Sequence, residues 1–161
     1  MIGRASFTAP EWNTIQTAIL GTIEYVSMST TNTFGDIKEQ VLAKREISKF
    51  ADEFDSIFVK ELSDFSNYKS PLPPHADNDF KSIETPLMQL ISSSVESIQQ
   101  RYPETAETFK KLIVHLAEEV SHTYKTASQP EKDAIDKIKH ALESPPHKTY
   151  QWDVNNPLAK P

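Results

Sequence analysis

Histidine and glutamate residues cluster in one segment near the C-terminal end of the chain, at spacings that could hold a metal ion. His115, Glu118, Glu119 and His122 follow one another within this segment, mostly at three- and four-residue steps. Residues three and four apart share a face of a helix. A Glu-x-x-His pair such as Glu119 with His122 is how carboxylate-bridged di-metal bundles present two ligands. The segment therefore predicts a divalent transition-metal site with His115, Glu119 and His122 as ligands.

The apolar stripe of the same predicted helix favours a different interpretation. Leu116 and Val120 lie near the centre of that stripe. At about 100° per residue, His115 and His122 fall roughly opposite the stripe and Glu119 falls on its flank. These residues then form a solvated helix face, where a Glu–His pair contributes a few tenths of a kcal/mol. A surface metal site or a contact to a partner helix is the alternative.

The composition excludes several kinds of active site. The 161 residues include no Cys and three Gly. Thiolate zinc sites, iron–sulfur clusters and Cys nucleophiles all need sulfur, so none of them can form. Glycine-rich phosphate-binding loops and the Gly-x-Ser-x-Gly nucleophile motif do not occur in the sequence. Because no residue pattern indicates a reaction, we predict no catalytic residues and no organic cofactor, and we favour a protein that is not an enzyme.

Charge and hydropathy indicate an acidic protein that neither binds nucleic acid nor crosses a membrane. Lys and Arg total 17 against 23 Asp and Glu, a formal net charge of −6. Nucleic-acid binding requires clustered cations, and the Lys and Arg residues here are interleaved with acidic ones. No segment approaches the roughly 20 apolar residues of a membrane span, and the N-terminal residues do not resemble a secretory signal. We therefore expect a cytoplasmic protein.

Apolar residues recur at helical spacing along most of the chain, and no segment alternates in the manner of a strand. The prediction is an all-α fold, with a single-domain bundle of five or six helices over residues 1–144. A proline-rich loop at residues 66–79 interrupts the bundle. Residues 145–161 are predicted to form an extended, Pro-rich tail that could dock on the bundle.

The start of the first helix carries several agreeing features. Thr8 can cap the helix, and Glu11 three residues later can accept from the backbone N–H of Thr8 in return. Phe7 can pack on Trp12 in the manner of a hydrophobic staple. The first helix is predicted to run from about Ala9 to about Ser29, with one apolar face.

Two interruptions are predicted within the later helices. Ile37 and Val41 are out of phase with the apolar residues from 47 to 65, so we expect a bend or break between residues 43 and 46. Thr85 precedes Pro86, and a residue before proline avoids helical backbone angles. We therefore expect a kink or a new helix start at this position.

Two segments resemble a known protein family. Residues 7–12, Phe-Thr-Ala-Pro-Glu-Trp, resemble the opening of a family of small uncharacterised all-helical bacterial proteins that carry an N-terminal Phe-Thr-x-x-Glu-Trp signature. Residues 109–120 and 128–142 are similar to the C-terminal helix pair of that family, although the short segment 126–128 stands where the family has a Gly-rich turn. The resemblance implies an all-helical fold and no assigned activity. The final helix pair also resembles, more loosely, tellurite-resistance-type helical domains.

Two functional hypotheses follow from these observations. The first is a non-catalytic protein-interaction module, a monomer or homodimer, that binds a protein partner or itself. Its surfaces would be the proline-rich loop and the tail, where Tyr150, Trp152 and Val154 are the sizeable anchors. The alternative is a metal-binding or stress-associated, tellurite-resistance-like helical protein that uses the His and Glu residues described above.

Overall fold

The protein is described by a computed structural model over residues 2–29, 36–54, 56–69, 80–122 and 129–143. For residues 36–39, 80, 81 and 122 the description covers the backbone alone. These residues form a short 3-10 turn and six α-helices, and they contain no strand. The helices are α1 (Ala9–Met28), α2 (Asp36–Phe54), α3 (Ile57–Leu62), α4 (Phe80–Arg101), α5 (Pro103–His122) and α6 (Gln129–Glu143). The predicted all-α fold is confirmed.

Helix α1 occupies the centre of the bundle. Between Trp12 and Met28, Asn13 and Glu24 are the two residues that are not buried. Helices α4 and α5 make the most extensive contacts with α1, and α2 and α6 also pack against it. The sequence pattern predicted one buried face for this helix. The structure buries the remaining faces as well, because small polar residues on those faces allow the neighbouring helices to approach.

The buried polar side chains of α1 find hydrogen-bond acceptors close by. The hydroxyls of Thr14, Thr17 and Thr22 donate to the carbonyl oxygens one turn earlier, at 3.0, 2.7 and 2.6 Å. The Gln16 amide donates to the carbonyl of Leu62, the last residue of α3, at 3.2 Å and to the carbonyl of Asp64, just after α3, at 2.7 Å. A buried polar group without a partner costs about 1–3 kcal/mol. These bonds therefore allow a helix rich in Thr to lie at the centre of the core.

A polar network ties α1 to two of its neighbours near its C-terminal end. The buried Tyr25 hydroxyl donates to Glu84 Oε1 on α4 at 2.6 Å. Lys137 Nζ on α6 donates to the same oxygen, also at 2.6 Å. Burial, followed by the bond to the Glu84 carboxylate, raises the pKa of Tyr25 well above its ordinary value. The phenol therefore stays protonated and remains a donor.

The predicted start of the first helix is confirmed. Glu11 N donates to Thr8 Oγ1 at 3.2 Å, and Thr8 N donates to Glu11 Oε1 at 2.9 Å, which completes a capping box. The Phe7 and Trp12 rings lie 5.8 Å apart. Phe58 of α3 packs against both rings, at 5.9 and 5.8 Å. The aromatic contact at the helix start therefore also holds α3 in place.

The expected break in the second helix and the expected new helix start at Pro86 do not occur, whereas a bend or a kink at these positions stays a prediction. Helix α2 runs unbroken through residues 43–46, and the helical segment ends at Phe54 instead. Val41 lies out of phase with the buried residues of α2 and therefore faces solvent, with 59% of its surface exposed. Helix α4 continues through Pro86 without a new start. Buried side chains on both sides of the proline, Ile83 and Leu87, hold this turn of α4 against the core.

Several predictions fall outside the described residues. These are the part of the predicted proline-rich loop from residue 70 to 79 and the whole of the predicted tail, residues 145–161, so the docking of the tail stays a prediction. No helix among the described residues is both long enough and apolar enough to span a bilayer.

Replacing Gln16 with Leu tests the contribution of the polar groups on α1. The substitution removes the buried amide that donates to two carbonyls, which then lose this donor. We therefore expect the free energy of unfolding to fall by about 2 kcal/mol. Urea denaturation followed by circular dichroism measures the change. The matched control is Gln99→Leu at an exposed position of α4, which should leave stability nearly unchanged. Equal effects of the two substitutions would contradict this account of Gln16.

Candidate metal centre

The apolar stripe of α5 determines where its polar residues lie. Five side chains on one side of this helix have no exposed surface and pack in the core: Phe109, Leu112, Ile113, Leu116 and Val120. His115 and Glu119 are one turn apart and lie beside this stripe, and both are only partly exposed. The orientation that buries the stripe therefore brings these two side chains to the side of α5 where α2 packs.

Helix α2 contributes a buried carboxylate at this contact. Glu46 is 2% exposed. Its Oε2 lies 3.2 Å from His115 Nε2, and its Oε1 accepts from Arg45 Nε at 3.2 Å and from Lys49 Nζ at 3.3 Å. Each carboxylate oxygen thus has a partner of its own. The charge remains buried because cationic and imidazole groups surround it.

Glu46, His115 and Glu119 form a cluster that could hold a metal ion. One potential ligand atom from each residue lies within 4.8 Å of the other two. The set offers two carboxylates and one imidazole, a combination of oxygen and nitrogen donors that suits divalent first-row transition metals. The chemistry of the three side chains therefore fits the kind of ion that the sequence predicted.

Aromatic residues close one side of the cluster. The Phe50 ring of α2 packs on the His115 imidazole with centroids 5.8 Å apart, and Phe54 stacks on Phe50 at 4.4 Å. The His115 side chain is nevertheless 34% exposed. The imidazole is thus supported on its apolar side and can be reached from solvent on another.

Burial and hydrogen bonding act in opposite directions on Glu46. Burial alone would raise its pKa. The hydrogen bonds from His115, Lys49 and Arg45 outweigh that effect and hold the pKa of the Glu46 carboxyl below its ordinary value of 4.5. Glu46 is therefore ionised near neutral pH, as a metal ligand must be.

The structure brings together two of the three residues that the sequence predicted as ligands. His115 and Glu119 meet in the cluster, whereas the His122 side chain lies outside the described part of the chain. The expectation that His115 faces away from the bundle was wrong. The expectation came from the angles of the side chains around α5 relative to its own apolar stripe. Those angles contain no information about α2, which packs beside α5.

Sequence reasoning missed Glu46, although the sequence carried an indication of it. Glu46 follows Leu42 by four residues and precedes Phe50 by four, so it lies on the buried stripe of α2. A carboxylate on an apolar stripe needs a charged or hydrogen-bonding partner. The pattern of α2 could therefore have singled out Glu46, but it could not have named His115 as the partner.

Comparison of the chain with protein-family models, curated proteins and solved structures finds no match. The resemblance of residues 7–12 to a bacterial family therefore stays a prediction.

The lowered pKa of Glu46 predicts a specific pH dependence of stability. A carboxyl whose pKa is lower in the folded state stabilises the protein above its unfolded value, near 4.5, and loses this contribution as the pH falls through the folded value. Glu46→Gln should therefore be less stable than the wild type at pH 7, by about 1–3 kcal/mol. This difference should shrink as the pH is lowered below 4.5.

Urea unfolding at a series of pH values measures this effect. Glu53→Gln provides the control, because Glu53 is an exposed residue of the same helix. Its effect should be small and nearly independent of pH. A difference between Glu46→Gln and the wild type that stays constant down to the lowest pH would contradict the assignment.

Proposed function

We propose that this protein binds one divalent first-row transition-metal ion between α2 and α5, with Glu46, His115 and Glu119 as ligands. The observation that supports the proposal is the convergence of three potential ligand atoms within 4.8 Å of one another. Glu46 and His115 are 69 positions apart in the chain, so only the packing of the two helices makes them neighbours.

The spacing of the ligand atoms also supports the proposal. Metal–nitrogen and metal–oxygen bonds to such ions are about 2.0–2.2 Å long, which places neighbouring ligand atoms about 2.8–3.6 Å apart in octahedral or tetrahedral geometry. The distance between His115 Nε2 and Glu46 Oε2 is 3.2 Å. An ion that replaces the Nε2 proton shared in the His115–Glu46 hydrogen bond could therefore bind between these two atoms with little rearrangement of the backbone.

Three protein ligands leave at least one coordination position for water or another ligand. His122, three residues after Glu119, was one of the three ligands predicted from the sequence and stays a predicted ligand. We assign no reaction to the centre. The proposed function is thus reversible binding of a metal ion.

The protein-interaction hypothesis stays a prediction alongside this proposal. Both surfaces assigned to it, the proline-rich loop and the tail, lie largely outside the described residues. A protein partner, self-association as a homodimer and a cytoplasmic location are likewise expectations from the sequence.

Metal titration of the purified, untagged protein tests the proposal. Isothermal titration calorimetry with Co²⁺, Mn²⁺ and Zn²⁺ should give one binding event per chain for at least one of these ions. Glu46→Gln and His115→Ala should each weaken that binding by roughly tenfold or more, because each removes a ligand. His122→Ala measures whether that predicted ligand contributes.

Two substitutions control for general effects of lost charge or lost imidazole. Glu53→Gln removes an exposed carboxylate from α2, and His140→Ala removes an exposed imidazole from α6. Both should bind metal as the wild type does. The proposal fails if no ion binds stoichiometrically, or if His115→Ala binds as tightly as His140→Ala.

A further inference from the structure

A groove between α5 and α6, here called the α5–α6 groove, is lined by apolar side chains and by charges that balance. It has a volume of about 560 Å³. Val114, which packs against the core, and the buried Leu142 provide apolar surface. The charged lining consists of equal numbers of lysines and glutamates: Lys110, Lys111, Lys139, Glu107, Glu118 and Glu143. A neutral groove of this kind suits an apolar segment rather than an ion.

Several of these charges already have partners within the protein. Lys110 Nζ lies 3.2 Å from Glu107 Oε1 and 3.7 Å from Glu143 Oε2. The Lys110 side chain is 14% exposed, so its methylene groups add to the apolar surface of the groove. The Lys111 ammonium lies 5.7 Å from the centroid of the Phe54 ring. The lysines of the groove therefore contact carboxylates and aromatic rings, and they can do the same for a peptide segment.

The chain itself continues from the edge of this groove. Helix α6 ends at Glu143, which lies in the groove wall. In the residues that follow, Tyr150, Trp152 and Val154 occur at two-residue steps. Alternate side chains of an extended segment point to the same side. These three side chains would thus form one apolar face if the segment is extended.

The dimensions of the groove and of this segment agree. A helix rises about 1.5 Å per residue, so the stretch of α5 from Glu107 to Glu118 is about 17 Å long. An extended segment rises about 3.3 Å per residue, so residues 149–154 would span about 17–20 Å. The connecting residues 144–148 can cover up to about 17 Å. They are long enough to bring the segment from the end of α6 back along the groove.

We propose that residues 149–154 dock in the α5–α6 groove of their own chain, with Tyr150, Trp152 and Val154 against its apolar side chains. The burial of two aromatic rings stabilises this arrangement, and neighbouring lysines add cation–π attraction. A short connection gives the segment an effective concentration on the order of millimolar. The segment therefore outcompetes a separate partner that offers similar contacts. This inference does not depend on the proposed metal binding.

Tryptophan fluorescence of the full chain tests the proposal. The protein has two tryptophans, Trp12 and Trp152. Subtracting the spectrum of Trp152→Phe from that of the wild type gives the emission of Trp152. We expect this emission at a shorter wavelength than that of free tryptophan amide, with several-fold weaker quenching by acrylamide. Nuclear Overhauser effects between the Trp152 ring and the Val114 methyl groups should be observed in the wild type.

A substitution in the groove should release the segment. Val114→Glu places a carboxylate among the apolar side chains, so quenching of Trp152 by acrylamide should rise several-fold towards that of free tryptophan amide. Val41→Glu is the matched control, because Val41 is an exposed valine of α2, and it should leave Trp152 protected. Circular dichroism establishes that both variants are folded. If Val114→Glu does not fold, the Overhauser effects in the wild type decide.

Three results would overturn the proposal. The first is a Trp152 emission and quenching equal to those of free tryptophan amide. The second is equal protection of Trp152 in Val114→Glu and Val41→Glu, which would place the segment elsewhere. The third is a protection of Trp152 that is lost on dilution, which would indicate docking on a second copy of the chain. None of these results bears on the proposed metal binding, which is measured separately.

Discussion

The burial of α1 on almost every side is the constraint on which the rest of the fold depends. Almost no side of this helix is exposed to solvent. Each polar side chain between Trp12 and Met28 must therefore find a hydrogen-bond partner inside the protein or reach the protein surface. Thr14, Thr17 and Thr22 meet this requirement within the helix itself. Gln16 meets it by bonding to the backbone at the last residue of α3 and just beyond it. The central helix thereby specifies the position of the chain that follows α3 as well as its own.

The arrangement around α1 also creates the candidate metal centre. Helices α2 and α5 both pack against α1 and contact each other. Their apolar stripes turn Glu46 and His115 toward one another at the edge of the core. Removing Glu46 from water is unfavourable unless its charge is compensated, and His115, Arg45 and Lys49 provide that compensation. The same carboxylate that stabilises the contact between the helices is thus available, through Oε2, to a metal ion.

Local sequence patterns predicted contacts between residues close in the chain well, and they predicted the effects of packing between helices poorly. The capping box of Thr8 and Glu11 and the contact of Phe7 with Trp12 were predicted correctly, because each involves residues within five positions of one another. The expected break in α2 was wrong, because an out-of-phase residue such as Val41 can face solvent without ending the helix. The expected new helix start at Pro86 was wrong, because core packing around Ile83 and Leu87 outweighs the local preference of a proline.

The sequence by itself determined that this protein is all-helical, where its first helix begins and ends, and that His115 and Glu119 share one side of a helix. These properties depend on periodicity and on capping groups a few residues apart. Only the tertiary structure decided that α1 is central, that α2 covers the edge of α5, and that Glu46 is the partner of His115. Such contacts join residues far apart in the chain, and they depend on how the apolar stripes of several helices are buried at once.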